Sequence, residues 1–251
     1  MSDAHSPVEC AECGLTLEDI SENPAARLPC SRCGGTKRRY LMKAAAGNAQ
    51  PTNYLLDNYV AYKLSELTAC GAPELAEEAM WLNTFILKTI FQFHILPKTR
   101  AYLFNFLRRT EGASAAYREA RRLLQEHLAT PRNVVSLYFR SLTQFEICIW
   151  QCYQGYELLA RSIGQKLYEP GQGTQEEKLQ IAYVDSRHMD QMIHGDKVPD
   201  PATSGIWITD TGIESSRGVL AFQELHDLLQ GMHSLAEKLC ALDPATPAPT
   251  E

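Results

Sequence analysis

Thr130-Pro-Arg-Asn-Val-Val-Ser-Leu-Tyr-Phe-Arg-Ser-Leu-Thr-Gln-Phe-Glu-Ile-Cys-Ile-Trp-Gln-Cys-Tyr-Gln-Gly-Tyr-Glu-Leu-Leu-Ala-Arg-Ser162 sets a long helix in the middle of the chain. Thr130 and Pro131 give an N-cap and a first-turn signal. Val135, Phe139, Leu142, Phe145, Ile149, Tyr153, Tyr156 and Leu159 then recur at three- and four-residue steps. Such a stripe is one helix face, and it predicts a core spine for a mainly α body. On its C-terminal side, Glu169-Pro-Gly-Gln-Gly173 is a loop, and Thr174-Gln-Glu-Glu177 is a capping box. The helix it starts is predicted to run to His194 and stop at Gly195. A long irregular loop, 195–218, carries a short β-like run, in which Trp207 is expected to be interior. A last helix over 219–241 has a stripe at Leu225, Leu228, Leu229, Met232, Leu235 and Leu239.

On the N-terminal side two more helices are expected. One spans 53–70 and stops at Gly71. The next opens at Pro73 with Glu74, Glu77 and Glu78, continues through Trp81, Phe85 and Ile90, and ends before Pro97. The stretch 98–140 is basic, with nine Lys or Arg against three Glu. Arg118 and Arg122 share a helical face with Arg121 beside them, either a phosphate-tracking surface or a solvated face.

The N-terminus reads differently. Cys10-Ala-Glu-Cys13-Gly and Pro29-Cys30-Ser-Arg-Cys33-Gly-Gly are two Cys-x-x-Cys hooks sixteen residues apart. That spacing fits a structural site for one Zn²⁺ per chain, held by Cys10, Cys13, Cys30 and Cys33. Two disulfides or four free thiols are the alternatives. Some forty residues are too few for a core of their own, so the metal would supply most of the folding energy. With four sulfurs on the ion, no position is left for substrate. Lys37, Arg38 and Arg39 follow the second hook as a second candidate nucleic-acid contact or a solvated strand edge. Cys148 and Cys152, four apart on one helix face, read as small buried hydrophobes.

The predicted organisation is therefore a zinc ribbon with a loose start over 1–42, a linker over 43–52, a helical bundle over 53–242 and a disordered tail over 243–251. A net charge of −6 excludes a generally basic coat. No leader segment or apolar run of membrane length is evident, so a cytoplasmic protein that keeps its thiols reduced is expected.

Phosphate-cradling glycine loops, serine elbows and His-Glu-x-x-His helices are not found in the sequence. The stretch Asp185-Ser-Arg187-His188-Met-Asp190-Gln-Met-Ile-His194-Gly stands out instead. Arg187 and His194 are seven apart, hence on one helix face about 10 Å along the axis. This arrangement resembles the Arg-x4–6-His signature of HEPN domains, helical bundles that often dimerise and cleave RNA without a metal. The resemblance covers residues 130–242. It implies that Arg187 binds the scissile phosphate, that His194 acts as general acid or base, and that His188 and Asp190 orient them. It also implies RNA as partner, a homodimer and a prokaryotic defence or toxin setting. A second match joins Arg121 and Arg122 to His127. The competing reading is a non-catalytic regulatory module whose ribbon and bundle dock a protein partner.

Overall fold

The computed structural model describes residues 8–17, 28–40, 57–58, 60–77, 80–91, 95–130, 135–195 and 203–241; of Val8, Glu9, Arg38, Arg39, Tyr40 and Phe91 it describes the backbone alone. The chain divides into two compact units, Met1–Tyr54 and Leu55–Glu251. The expected linker and C-terminal tail lie outside the described residues.

The first unit holds three short strands, β1 (Val8–Cys10), β2 (Thr16–Leu17) and β3 (Arg38–Tyr40). They form an antiparallel sheet in the order β2-β1-β3, with Glu9 opposite Thr16 on one side and Arg39 on the other.

The second unit is mainly helical. Its described helices are α1 (Trp81–Phe91), α2 (Pro97–Ala129), α3 (Val135–Ser162), α4 (Gln175–Arg187), α5 (Met189–His194) and α6 (Phe222–Ala241). A small antiparallel sheet, β4 (Ile206–Ile208), β5 (Gly212–Ser215) and β6 (Gly218–Ala221), occupies the long irregular stretch. Helices α2 and α3 form an antiparallel hairpin: the Ser141 hydroxyl donates to Ala120 O at 2.8 Å, and Arg109 donates to Gln151 at 2.6 Å. The predicted spine is central, with Leu142, Phe145 and Ile149 buried. Phe145 lies against Tyr117 of α2 and Phe222 of α6, tying three helices together. One register differs from the expectation. Tyr138 is buried in place of Phe139, because its hydroxyl accepts from Ile208 N at 3.1 Å and so satisfies a strand N–H inside the core. Cys148 and Cys152 are fully buried, and burial pushes both thiols up.

Helix boundaries follow local chemistry. Pro97 opens α2, and Thr130, extended before Pro131, closes it by donating its hydroxyl to Glu126 O. Thr174 caps α4 by accepting from Glu177 N. The Glu177 carboxylate does not return to Thr174. It accepts from Gly171 N and Gly173 N at 2.5 and 2.7 Å, closing the preceding loop onto the helix.

Three expectations are corrected. No continuous helix spans 53–70: beyond two helical residues and a 3₁₀ turn at Leu64–Glu66, the chain has no regular secondary structure over 67–77. It is held open by side chains that supply the hydrogen bonds a helix would have made. Asp57 accepts from Ser65 N, and Asp210 accepts from Thr68 N, Thr68 Oγ1 and Ala69 N at 2.6–2.8 Å. The second helix starts at Trp81 rather than Pro73, because residues 71–77 form a strap whose carbonyls face donors from α2 and α6. Ala72 O accepts from Arg121, Pro73 O from Tyr117, Glu74 O from His226 and Ala76 O from Arg118. Residues 218–221 are strand β6 and α6 begins at Phe222, where Glu224 accepts from Ala221 N at the helix start.

The Asp210 cluster gives a testable consequence. Burial raises the Asp210 carboxyl, but the Thr68 and Ala69 donors outweigh it and hold the group below the ordinary carboxylate range. A depressed carboxyl stabilises the fold at neutral pH, and that contribution is lost as pH falls through the folded-state pKa. Asp210→Ala should cost about 2 kcal/mol in urea unfolding at pH 7. The gap to wild type should narrow below about pH 4; a gap that is constant with pH would show that the charge plays no part.

Candidate metal centre and candidate nucleic-acid groove

The two cysteine hooks fold alike. In the first, Cys10 N donates to Leu15 O and Gly14 N to Cys10 O; in the second, Cys30 N donates to Gly35 O and Gly34 N to Cys30 O, all at 2.8–2.9 Å. Each turn needs a left-handed residue after its second cysteine. Gly14 and Gly34 supply it with φ of 71° and 74°, a region closed to most side chains. The hooks therefore present two sulfurs each toward a common point.

The four ligand atoms lie within 4.8 Å of one another, with Cys10 Sγ 3.4 Å from Cys33 Sγ and Cys13 Sγ 3.6 Å from Cys30 Sγ. A tetrahedral ion with metal–sulfur bonds of about 2.3 Å has edges of about 3.8 Å, so the constellation fits such an ion. None of the four is in a disulfide. The turns also favour thiolates. The N–H groups of Arg32 and Cys33 lower Cys30 to about 6, and the Glu12 N–H leads the lowering of Cys10. Across the cluster the Gly35 N–H pulls Cys33 down, but its neighbours' sulfurs and burial together push it up to about 12. Sulfurs crowded in this way gain from a cation in their midst. Of the adjacent basic cluster, Lys37 is exposed, and Arg38 and Arg39 stand opposite Cys10 and Glu9 in the sheet register.

In the helical unit, Arg187, His188, Asp190 and His194 are all exposed. They do not share a continuous helix. α4 ends at Arg187, His188 has φ −112° and ψ 39°, and α5 restarts at Met189, anchored by buried Met192. The expected single helix to His194 is thus broken between the arginine and the histidine. No side-chain hydrogen bond or ion pair joins these four residues to one another among the described residues.

Arg187 has another neighbour. Its guanidinium carbon lies 4.7 Å from the Trp150 ring centre, and that of Arg109 lies 4.4 Å from the same ring. Arg109 is tied to Gln151, whereas among the described residues no carboxylate pairs with Arg187. Cation–π contact uses the guanidinium face and leaves its N–H edge for another ligand. Beside it runs an open groove of about 230 Å³, lined by Thr143, Glu146, Ile147 and Trp150 of α3 and Ser186 and Arg187 of α4. Burial pushes the Glu146 carboxyl up, opposed by the Arg187 charge.

No family model, curated protein or solved structure matches the chain.

The HEPN resemblance therefore rests on the motif and the order of elements. Of its two motif matches, the structure separates one from the other. His127 is buried, with its ring 5.9 Å from that of Tyr138, while His194 is exposed. The basic stretch is occupied from within. Arg118 and Arg121 donate to the strap, and Arg122 is bracketed by Glu119 and Glu126 at 2.8 and 2.9 Å. Ser114 and His233 lie 2.6 Å apart, but Ser114 is fully buried and also donates to Thr110 O, so this pair packs rather than reacts. Glu146 and Trp150 were not singled out in the sequence. Their signal was present as a polar and an aromatic residue on the flank of the predicted spine, four residues apart.

Proposed function

We propose that the helical unit is an RNA-directed module of HEPN-like type, whose Arg187 edge receives a backbone phosphate. One observation carries this reading: Arg187 is exposed, braced on Trp150 and free of any carboxylate among the described residues, at the rim of an open groove. A fixed, unpaired guanidinium is the donor a phosphate needs. His194 and His188, exposed on the next turns, are the groups available for proton transfer, with Asp190 beside them. The ribbon's ion is inferred to be Zn²⁺, one per chain, bound by sulfur at every position and hence structural. Thiolates of this kind last in a reducing cytoplasm.

The test is incubation of single-stranded RNA with wild type, Arg187→Ala and His194→Ala at low salt. Arg187→Ala should weaken binding about tenfold. If the module cleaves, His194→Ala should stop cleavage while retaining binding. Absence of RNA binding by wild type removes the proposal, and binding without cleavage restricts it to recognition.

The protein-docking reading has an observation of its own. Leu87 and Ile90 of α1 are 57% and 67% exposed, with Met80 and Leu96 also bare near its ends. A stoichiometric partner that survives nuclease treatment would favour that reading. Among the described residues no helix is long and apolar enough to cross a membrane.

A further inference from the structure

We propose that the groove beside Arg187 is a base-reading subsite that holds one guanine nucleotide, with Glu146 as the residue that selects the base. The inference rests on the RNA reading above and names what the site prefers. Its parts come from successive turns of α3, at Thr143, Glu146, Ile147 and Trp150, closed on one side by Ser186 and Arg187 of α4. The Arg187 guanidinium, braced on the Trp150 ring, offers its outer face as the flat surface against which a base lies. Arg187 offers its N–H edge to the phosphate. Thr143 and Ser186 bring hydroxyls that suit a ribose.

Glu146 is the feature that a plain phosphate site does not explain. A carboxylate in the wall repels phosphate, and its burial costs energy until a donor reaches it. Glu146 and Arg187 face the same groove, and among the described residues no ion pair joins them, so each keeps its capacity for a ligand. An ionised carboxylate only accepts, through two oxygens side by side. Among the RNA bases, guanine alone presents two adjacent N–H donors, N1–H and N2–H, on its Watson–Crick edge. Adenine, cytosine and uracil each set an acceptor beside their donor, which a carboxylate repels. A groove of about 230 Å³ is small beside the pockets that enclose whole drug-sized ligands, so it suits a single nucleotide unit.

The experiment uses the zinc-loaded 251-residue chain and labelled single-stranded heptamers, one all-uridine and one with a central guanosine, read by fluorescence anisotropy at low salt. Wild type should prefer the guanosine heptamer about tenfold. For Glu146→Gln, which keeps shape and loses the second acceptor, the ratio of the two affinities should fall to near one. Circular dichroism of the variant establishes that it is folded. Equal binding of both heptamers by wild type, or an unchanged ratio in Glu146→Gln, overturns the guanine assignment and leaves the RNA reading standing. Guanosine monophosphate and uridine monophosphate as sole ligands separate the two sources of a guanine nucleotide. Guanosine monophosphate bound selectively by wild type but not by Glu146→Gln, with neither heptamer bound, upholds Glu146 as the selector and overturns the RNA reading. No binding in any arm overturns both.

Discussion

Cys30→Ser is expected to leave the 251-residue chain with near zero bound metal, where the proposed zinc site predicts one ion per chain for the unchanged protein, and to unfold the sheet of β1, β2 and β3. Cys30 is almost fully buried and its sulfur accepts from the Arg32 N–H, so it is an ordered ligand rather than a peripheral one. The sheet it supports has strands of three, two and three residues, and such a sheet has little apolar surface to bury. In ribbons of this size the metal contributes about 10–16 kcal/mol of apparent binding energy, which is also the folding energy. Serine offers a harder and far less acidic ligand atom, so three sulfurs remain where four are needed. Metal analysis together with limited proteolysis of the N-terminal unit checks the expectation. The helical unit should keep its far-ultraviolet signal, since the chain forms two separately compact units. Cys70→Ser is the control, because Cys70 lies in the helical unit, outside the four-sulfur group. Zinc retained at one per chain in Cys30→Ser, or disulfides found in native protein, would sink the metal assignment.

The ribbon was legible because its information is local. Two hooks, their spacing and a glycine after each specify the turn and the ligand set without reference to the rest of the chain. The α3 spine and the Thr174 cap were legible for the same reason, since periodicity and capping act within a few residues. What escaped depends on partners far away in sequence. Residues 71–77 look like a helix start, with a proline and following glutamates. Their carbonyls instead find Arg121, Tyr117, His226 and Arg118, which lie about forty to one hundred and fifty positions further on. The same contacts explain why Arg118 and Arg121 looked like a nucleic-acid face. Charge on a helix can be counted in a sequence, but whether backbone carbonyls already use it cannot.

The candidate groove shows a similar division. Arg187 was found from its motif, and the structure does place it exposed at a rim. Glu146 and Trp150 were read only as parts of a helix pattern. Which flank of α3 stays open is set by where α4 lands, and that is a tertiary fact. The break at His188 was equally hidden, because neither proline nor glycine marks it. The backbone bonds of His188 N to Val184 O and of Met192 N to His188 O close α4 on one side of it and open α5 on the other, so both helix ends are satisfied without a residue that sequence rules would flag.

Arg217→Ala is expected to cost about 3 kcal/mol, the low side of what breaking a buried ion pair costs. Asp185 is fully buried, and Arg217 approaches one of its oxygens with Nε at 2.8 Å and Nη2 at 2.5 Å. The other oxygen, Oδ2, has no hydrogen-bond partner among the described residues, so the carboxylate depends on this one guanidinium. Loss of Arg217 leaves an uncompensated charge inside the protein. The Arg217 side chain is itself 41% exposed, so water can enter the vacated space and hold the cost below the 5 kcal/mol extreme. Asp185→Asn combined with Arg217→Ala should recover part of the loss, because it removes the stranded charge; a double-mutant cycle by urea unfolding measures this coupling. The pair also bears on the groove. Arg217 sits in the turn between β5 and β6, and Asp185 stands two residues before Arg187, so the pair fastens the last turn of α4 to the sheet. If the proposed RNA reading holds, RNA affinity should therefore fall in Arg217→Ala even where the protein remains folded. Stability within about 0.5 kcal/mol of wild type would mean that solvent already screens the pair and that α4 is held by its packing alone.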